Sequence, residues 1–595
     1  MSSVLVVALV SSLLHPTHPP LHPTHDPGRQ DDFVRAAARY EVPPSLLLAV
    51  SYLESRWDAN AGLPSASGGY GPMHLLGPVP AGEQEDRRGD DARPLAPAPA
   101  GVAGATLAEA ARLTGLPPER LREDPVANIR GGAAVLAAYR AAAGGWYEAA
   151  ARYGGSRAFA DEVFEVLRTG AERVTDDGHP VRLAPNPKLA PPPPELPMRT
   201  EAAAAPTECP STLACEWMPA AYARFGKKNY GNHDRVRGRE RRIDYIVIHD
   251  TEGSYRGIPS MVGDPKYVSW HYSIRSRDGH VAQHVATRDI AWHAGNWDVN
   301  SRSIGIEHEA YLAKGPTWFT EAMYRSSARL VRYLADRYDI PLDRAHILGH
   351  DNVPGTNAKT LAGMHEDPGP FWDWERYFAL LRSPLKAASG GGSVLIKPDY
   401  PRHAQTFTGC AKKKPCPARG YSTVWLRTEP RGDAPLVDDI GKGGPTSTYS
   451  VYDHSARASA GQRFAVAETR GDWTAIWYLG RKAWFYNPAA KPTAVRTGGP
   501  LVVPRRDRVP VYGRAYPERS AFPSGVGYQR HIALPYVLRT GQAYSLGLTV
   551  PGSYFAAGSF NPARHVLVRG RTRYHQIQLG HRVVFVKAKD VRVVR

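Results

Sequence analysis

Cysteine is scarce in this chain, with four cysteines among 595 residues. They form two local pairs, Cys209 with Cys215 and Cys410 with Cys416. Each pair is typical of a surface disulfide that closes a small loop in an oxidising compartment. A zinc site of four thiolates is the alternative, but its usual C-x2-C spacing is narrower than the spacing found here. The cysteines therefore favour two disulfides over a thiolate metal site.

Long apolar runs are also missing. Beyond the opening, no segment has eighteen uninterrupted apolar residues, so the rest of the chain is not predicted to span a membrane. The opening MSSVLVVALVSSLL is shorter than the roughly 20 residues of a spanning helix and is typical of a signal-peptide core. It lacks a preceding Lys or Arg and a clean cleavage site, so a strand or a misplaced start is the alternative. We expect export to the cell wall or beyond it.

Acidic residues are in deficit, with 57 Asp and Glu against 75 Lys and Arg, which gives a net charge of +18. This excess predicts an anionic partner. In an exported protein, cell-wall polymer or a membrane surface is a better candidate than nucleic acid. The basic residues are dispersed and match no nucleic-acid-binding motif. The sequence predicts no oligomeric state.

The composition changes along the chain and predicts a multidomain protein. Apolar residues at helical spacing indicate an α-helical unit, alternating strand and helix patterns indicate a mixed α/β unit, and Tyr/Trp/Val-rich segments with frequent turns indicate two small β-barrels. The predicted boundaries are a signal-like segment and His/Pro leader at 1–29, the helical unit at 30–171, a Pro/Ala-rich linker at 172–206, the α/β unit at 207–385, a flexible Gly/Ser linker at 386–397, and β units at 398–497 and 498–595.

Two histidines and an aspartate of the α/β unit form a candidate metal site. His249 ends the buried strand IDYIVIHD, His350 follows a second predicted strand, and Asp367 stands in the rigid turn DPGP. Two imidazoles and one carboxylate, with a fourth position left to water, are the ligands of a catalytic zinc site. Such a site lowers the pKa of bound water to about 7 and polarises a carbonyl.

Several motifs of this unit occur in a family order: IVIHDTEG, SWHYSI, AWHAGN, SIGIEHE, GHDNVPG and DPGPFWDW. Together they resemble the zinc-dependent N-acetylmuramoyl-L-alanine amidases of the amidase type 2 and peptidoglycan recognition protein superfamily, over about residues 235–380. By position, the resemblance implies that His249, His350 and Asp367 bind zinc. His346 and His365 flank the last two and are competing candidates.

The resemblance also implies roles for other residues. Glu307, in the SIGIE strand, would activate the zinc-bound water, and the alternative for it is a buried structural carboxylate. His365 stands where the family often has a lysine that stabilises the oxyanion, and an imidazole can donate the same hydrogen bond. The glycan and peptide cleft would be lined by His271, Trp292, His293 and Asn296, although His293 is equally consistent with a structural role.

The flanking units carry weaker resemblances. SLLLAVSYLESRW, GGYGPMHL and NIRGGAAVLAAY resemble the lytic transglycosylase and goose-type lysozyme fold, in which Glu54 would be the catalytic acid. This chain departs from that family at His74, where a glutamine is usual, so a domain used only for binding is the alternative. The C-terminal segments TVWLRTEP and AWFYNP resemble bacterial SH3-type wall-binding domains.

These observations predict an exported peptidoglycan hydrolase with a central zinc amidase. One rival is a non-catalytic peptidoglycan recognition protein, which would not need a zinc ligand set. Another is a glycan-cleaving enzyme that works through Glu54. The three differ in the products that they release from peptidoglycan.

Overall fold

The structure, a computed structural model, describes residues 28–65, 67–77, 106–189, 207–226, 229–237, 241–411, 415–417, 420–443, 447–557 and 559–595. All but the last two residues of the predicted signal-like segment lie outside these ranges, and so does the stretch 190–206 of the predicted linker. Within the described ranges, no helix is both long and apolar enough to cross a membrane.

The described residues between 28 and 189 form a helical unit. Its longest helix, Pro125–Ala143, begins after Asp124, whose side chain accepts the N–H groups of Val126 and Ala127, and it ends at Gly144 in the left-handed conformation. A short hairpin pairs Gly69–Tyr70 with Leu75–Leu76. The other helices are Arg29–Arg39, Pro44–Ser55, Thr106–Thr114, Pro118–Glu123, Trp146–Gly154 and Arg157–Thr169.

The prediction of an extended linker from residue 172 is wrong for its first part. Ala171–Val174 and Pro180–Leu183 pair as an antiparallel hairpin. Val181 and Leu183 are buried in the core of the helical unit. Their buried side chains alternate with the exposed Pro180 and Arg182 along the strand, so this strand buries one face while the other faces solvent.

The central unit is built on a mixed six-stranded sheet. Its strands lie in the order Ile347–Gly349, Tyr245–Asp250, Ser303–His308, Tyr272–Ile274, Val281–Gln283 and Cys215–Trp217. The first four strands are mutually parallel. The helices of the unit are Ile258–Val262, Trp297–Asn300, Glu321–Tyr338, Ala358–Ala362 and Trp374–Leu380, and its two-stranded sheets pair Arg224–Phe225 with Asn229–Tyr230 and His233–Asp234 with Ile290–Ala291.

Two neighbouring parallel strands of this sheet are fully buried. Every residue of the strands Tyr245–Asp250 and Ser303–His308 is buried, as expected for parallel strands covered on both faces. The helix Glu321–Tyr338 begins at Thr320, whose hydroxyl accepts the N–H of Met323. Its buried side chains share a core with isoleucines from both strands. The carboxyl ends of the neighbouring parallel strands therefore meet at one edge of the sheet.

The C-terminal region is β-rich and contains two larger sheets. One has five strands, in the order Arg481–Tyr486, Trp473–Tyr478, Arg463–Arg470, Ser393–Ile396 and Ala494–Thr497. The other has seven, in the order Ala533–Leu538, Val509–Tyr512, Arg582–Lys587, Val566–Leu579, Tyr544–Ala556, Leu501–Pro504 and Val591–Val594. Thr423–Trp425 pairs with Arg457–Ser459. The disulfides Cys209–Cys215 and Cys410–Cys416 are both formed.

The prediction of a flexible linker at 386–397 is wrong for its second half. Ser393–Ile396 is a fully buried strand of the five-stranded sheet. The apolar residues of this strand, Val394, Leu395 and Ile396, are buried among those of the sheet, which explains why the segment is not a tether.

The β-rich region also packs against the central unit. Tyr245 and Val247 share a hydrophobic cluster with Tyr574 and Phe585. The Tyr245 hydroxyl donates a hydrogen bond of 2.7 Å to Gln576 Oε1. The β-rich region is therefore docked on the central unit rather than joined to it by a linker alone.

The helical unit packs against the central unit through buried ion pairs. Arg56 lies 3.1 Å from Asp373, and Glu162 lies 2.5 Å from Arg329. Ala322, on the helix Glu321–Tyr338, joins the hydrophobic core of the helical unit. The central unit therefore covers the face of the helical unit that carries Glu54.

Candidate metal centre

Three buried side chains converge at the carboxyl edge of the central sheet. His249 Nδ1 lies 3.3 Å from Asp367 Oδ2, and His350 Nδ1 lies 3.1 Å from Asp367 Oδ1. The His249 and His350 rings are 4.4 Å apart between centroids. One nitrogen or oxygen from each of the three residues falls within 4.8 Å of the others. The three residues predicted as ligands thus come together in space.

The topology of the sheet produces this convergence. His249 lies near the end of Tyr245–Asp250, and His350 directly follows Ile347–Gly349, the adjacent parallel strand. Asp367 is 17 residues after His350. The loop between them is fixed by a hydrogen bond of 2.8 Å from the Asp351 N–H to the Asp367 carbonyl. The Asp250 N–H also donates to Asp367 Oδ2 at 3.4 Å.

The donor set fits a catalytic zinc ion. Zinc in such sites takes three protein ligands from imidazole nitrogen and carboxylate oxygen, which are the groups present here. Burial alone would raise the pKa of Asp367, but the His350 and His249 imidazoles beside it hold that pKa well below its usual range. An ionised carboxylate between two imidazoles is the state that a cation requires.

Glu307 lies beside this cluster. It is the cross-strand partner of His249 in the parallel register of the two strands. Its Oε1 lies 3.9 Å from His249 Nδ1, and the residue is buried. The nearby carboxylate of Glu309 instead accepts the N–H groups of Tyr255 and Ser276. Glu307 is therefore the carboxylate placed to act on a group held by the three ligands.

The two competing histidines occupy different positions. His365 stacks on His350 with 4.4 Å between ring centroids, and its Nδ1 lies 3.7 Å from Asp367 Oδ1. Its side chain is 36% exposed, against 2% for that of His350, so it lies on the solvent side of the cluster. His346 instead contacts Asp343, before the strand begins. His346 is therefore excluded as a ligand of this cluster.

Two residues predicted to bind substrate are structural. His271 is fully buried, and its Nδ1 accepts the Gly305 N–H while Nε2 contacts the Asp289 carbonyl. Asn296 caps the helix Trp297–Asn300 with its side-chain oxygen, and its amide nitrogen donates to the Pro354 and Gly513 carbonyls. Neither side chain has a polar atom left for a ligand, so the prediction of substrate contacts is wrong for both.

Trp292 and His293 face different ways. Trp292 is half-buried, and its indole N–H donates to Asp234 Oδ2 at 2.8 Å. His293 is buried, and its Nδ1 lies 2.9 Å from His249 Nε2. This contact favours the structural alternative for His293 over a place in the lining of the cleft. The contact with His249 was not predicted, because neither strand spacing nor motif order relates the two residues.

A second buried carboxylate lies in the helical unit. Glu54 Oε2 is 2.7 Å from His74 Nδ1, and His74 Nε2 is 2.5 Å from Ser65 Oγ. The adjoining cavity has about 10 Å³, which is room for about one water molecule. Thr317, Phe319 and Thr320 of the central unit form part of its wall. The sequence predicted Glu54 but neither its contact with His74 nor this closure.

The sheet, the buried ligand set and the adjacent Glu307 define a candidate metal-dependent hydrolase. The model of the N-acetylmuramoyl-L-alanine amidase family, Amidase_2, matches residues 239–370. N-acetylmuramoyl-L-alanine amidase A of Achromobacter lyticus is 31% identical over 165 residues, which cover 25% of this chain and 85% of that protein.

Two further amidases are matched over a smaller share of their own length. The 1,6-anhydro-N-acetylmuramyl-L-alanine amidase AmpD of Salmonella typhimurium is 38% identical over 120 residues, 19% of this chain and 57% of AmpD. The solved structure of the amidase AmiD from E.coli is 23% identical, covers 24% of this chain and 61% of that chain, and has a TM-score of 0.20.

The chain belongs to the N-acetylmuramoyl-L-alanine amidase family. The predictions of an enzyme and of a peptidoglycan amidase are thereby confirmed. The family match lies within the central unit, at residues 239–370, and does not extend to the flanking units.

Proposed function

We propose that the central unit is a zinc-dependent enzyme that hydrolyses the amide between N-acetylmuramic acid and L-alanine in peptidoglycan. The observation that carries this proposal is the convergence of His249, His350 and Asp367 within 4.8 Å, next to Glu307. Membership of the amidase family supports the choice of bond. A recognition protein without catalysis has no need of a buried ligand set with a carboxylate beside it.

His249, His350 and Asp367 would hold a zinc ion, which would polarise the scissile carbonyl and lower the pKa of water at its open position to about 7. Glu307 is placed to take a proton from the attacking water at Oε1. As the water oxygen bonds to the carbonyl carbon and the C–N bond breaks, Glu307 returns this proton to the nitrogen of L-alanine. The products are a free lactyl carboxylate on the glycan and a peptide with a free amine.

His365 acts on the carbonyl oxygen in this proposal. It is more exposed than Glu307 and the three ligands, and it stacks on His350. An imidazole N–H there can donate a hydrogen bond to the oxygen as negative charge develops on it. The half-exposed ring leaves this N–H accessible to a substrate that approaches from solvent.

The flanking units have supporting roles in this proposal. The helical unit has a lysozyme-like fold and the β-rich region contains SH3-type domains, as their motifs suggest, and both bring the enzyme to the cell wall. The net charge of +18 supports an anionic wall polymer as a partner. The two disulfides support an oxidising compartment, and therefore export.

Glycan cleavage through Glu54 is the weaker candidate. A glycosidase needs a cleft that admits a sugar chain, whereas the cavity beside Glu54 has room for about one water molecule. Glu54 is also engaged by His74 at 2.7 Å. No feature of this pocket favours glycan cleavage over a structural or binding role.

Product analysis tests the proposal. Purified peptidoglycan is digested with the full chain, and the soluble products are separated by chromatography and identified by mass spectrometry. We expect free stem peptides that begin with L-alanine and glycan strands of unchanged length. Release of muropeptides with reducing or anhydro ends, without free stem peptides, would contradict the proposal and favour the Glu54 site.

A further inference from the structure

His293 lies directly behind one of the proposed ligands. His249 presents Nδ1 to Asp367, at 3.3 Å, so this nitrogen faces the position of the metal. The opposite ring nitrogen, Nε2, lies 2.9 Å from His293 Nδ1. The two rings meet edge to face, with 5.0 Å between centroids. Both residues are buried, at 1% and 7% exposure, so water does not readily replace this contact.

The other ring nitrogen of His293 contacts a serine hydroxyl. His293 Nε2 lies 3.1 Å from Ser303 Oγ, and Ser303 begins the strand that also carries Glu307. A metal-bound Nδ1 must be unprotonated, so the proton of His249 is on Nε2 and is donated to His293 Nδ1. His293 then carries its own proton on Nε2 and donates it to Ser303. One arrangement of protons therefore satisfies the ring nitrogens of both histidines.

The fold makes room for His293 and fixes its backbone. A Cβ atom at Gly305 would lie 2.6 Å from the His293 ring, so only glycine leaves space there. The His293 N–H donates to Asn300 Oδ1 at 3.2 Å. The ring is thus held from its backbone, from its far nitrogen and by close packing on the strand.

We infer that His293 is a positioning residue that fixes the tautomer and orientation of His249 for metal binding, an inference that rests on the proposed function. Such partners of metal-bound histidines are usually carboxylates, backbone carbonyls or water. Here a second imidazole accepts the hydrogen bond, so the ligand is oriented without an added negative charge. His293 contacts neither substrate nor metal in this role.

The test is zinc affinity, measured by competition with a fluorescent chelator on the full chain. We expect His293→Ala to weaken zinc binding by roughly 10- to 100-fold, the usual effect of losing such a partner. His293→Gln should recover part of this loss, because its side-chain oxygen can accept the hydrogen bond from His249. Ser303→Ala should cause a smaller loss.

His284→Gln is the matched control. His284 is also buried, at 1% exposure, and it also bridges a serine hydroxyl and a second acceptor, Ser273 Oγ at 2.8 Å and the Met218 carbonyl at 2.7 Å. His284 contacts no proposed ligand, so the zinc affinity of the His284→Gln variant should equal that of the wild type.

Three outcomes overturn the inference. Wild-type affinity in His293→Ala is the first, and an equal loss in His284→Gln is the second, because burial alone would then account for the effect. If His293→Ala does not fold, an unchanged affinity in Ser303→Ala is the third. A wild-type chain that binds no zinc would instead overturn the proposed function, and this inference with it.

Discussion

Asp367 and Glu54 are both buried carboxylates that contact histidine, and the two sites differ in what surrounds that contact. At Asp367 two imidazoles direct Nδ1 toward one carboxylate, and Glu307 and His365 stand beside them. At Glu54 a single imidazole, that of His74, contacts the carboxylate through Nδ1 and the Ser65 hydroxyl through Nε2. Only the first site gathers enough donors around one point to hold a metal ion.

The two sites also differ in access. His365 gives the first site a partly exposed edge, with 36% of its side chain open to solvent. The second site is closed by Thr317, Phe319 and Thr320 of the neighbouring unit. Ion pairs such as Arg56 with Asp373 hold that neighbour in place. A buried acid is therefore not sufficient to indicate catalysis; it also needs space for a substrate.

The largest effect is expected at Glu307. Glu307→Gln removes the group that moves the proton but keeps the size of the side chain, so turnover should fall by roughly 100- to 10,000-fold. Zinc content should stay at the wild-type level, because Glu307 is not a ligand. The measurements are the release of stem peptides and the zinc content of the same sample. Near-normal turnover would show that Glu307 is structural.

His365→Ala should have the next effect. Loss of one donor to the developing oxyanion lowers turnover by about 100-fold, and zinc should remain bound. Turnover and zinc content again check this expectation. If the zinc were lost instead, His365 would be a ligand, and its assignment as a donor to the oxyanion would be wrong.

The packing of the β-rich region gives a smaller effect. Tyr245→Phe removes the hydrogen bond to Gln576 and leaves its oxygen unsatisfied, which should lower the free energy of unfolding by about 1–3 kcal/mol. Chemical denaturation of the full chain measures this difference. Tyr486→Phe, at a half-exposed tyrosine of the five-stranded sheet, is the control and should change it little. Equal effects would argue against a docked β-rich region.

No effect on amidase turnover is expected from Glu54→Gln, because the acid is enclosed in another unit. Glycan cleavage should be absent from both the wild type and this variant. The assay is the count of new reducing and anhydro ends in digested peptidoglycan. Wild-type cleavage that disappears in Glu54→Gln would show that the second pocket opens, and the contrast between the two sites would fail.

The sequence predicted the parts of the site that depend on strand ends. His249 and His350 follow apolar runs that form adjacent parallel strands, and Asp367 is fixed by its Pro-Gly-Pro turn, so their convergence follows from topology. His271 and Asn296 were misassigned, and the role of His293 was left open, because motif position does not show which way a side chain faces. Their hydrogen bonds to backbone and to His249 arise from packing between distant segments.

The domain boundaries show the same limit. The composition of 172–206 and 386–397 predicted linkers, but Val181 and Ile396 bury their side chains within those ranges. A few apolar residues after Pro- or Gly-rich sequence are enough to complete a hairpin or add a strand. Composition averaged over a segment cannot detect them, whereas the alternation of apolar residues in 180–183 could have done so.

The most direct test of the account is the position of zinc in a crystal of the full chain, located by its anomalous scattering. We expect one ion bonded to His249, His350 and Asp367 at roughly 2.0–2.2 Å, with a fourth position open to water. His350→Ala should abolish both this peak and the release of stem peptides. A zinc ion bonded elsewhere, or undiminished amidase activity in His350→Ala, would contradict the assignment of this cluster as the catalytic centre.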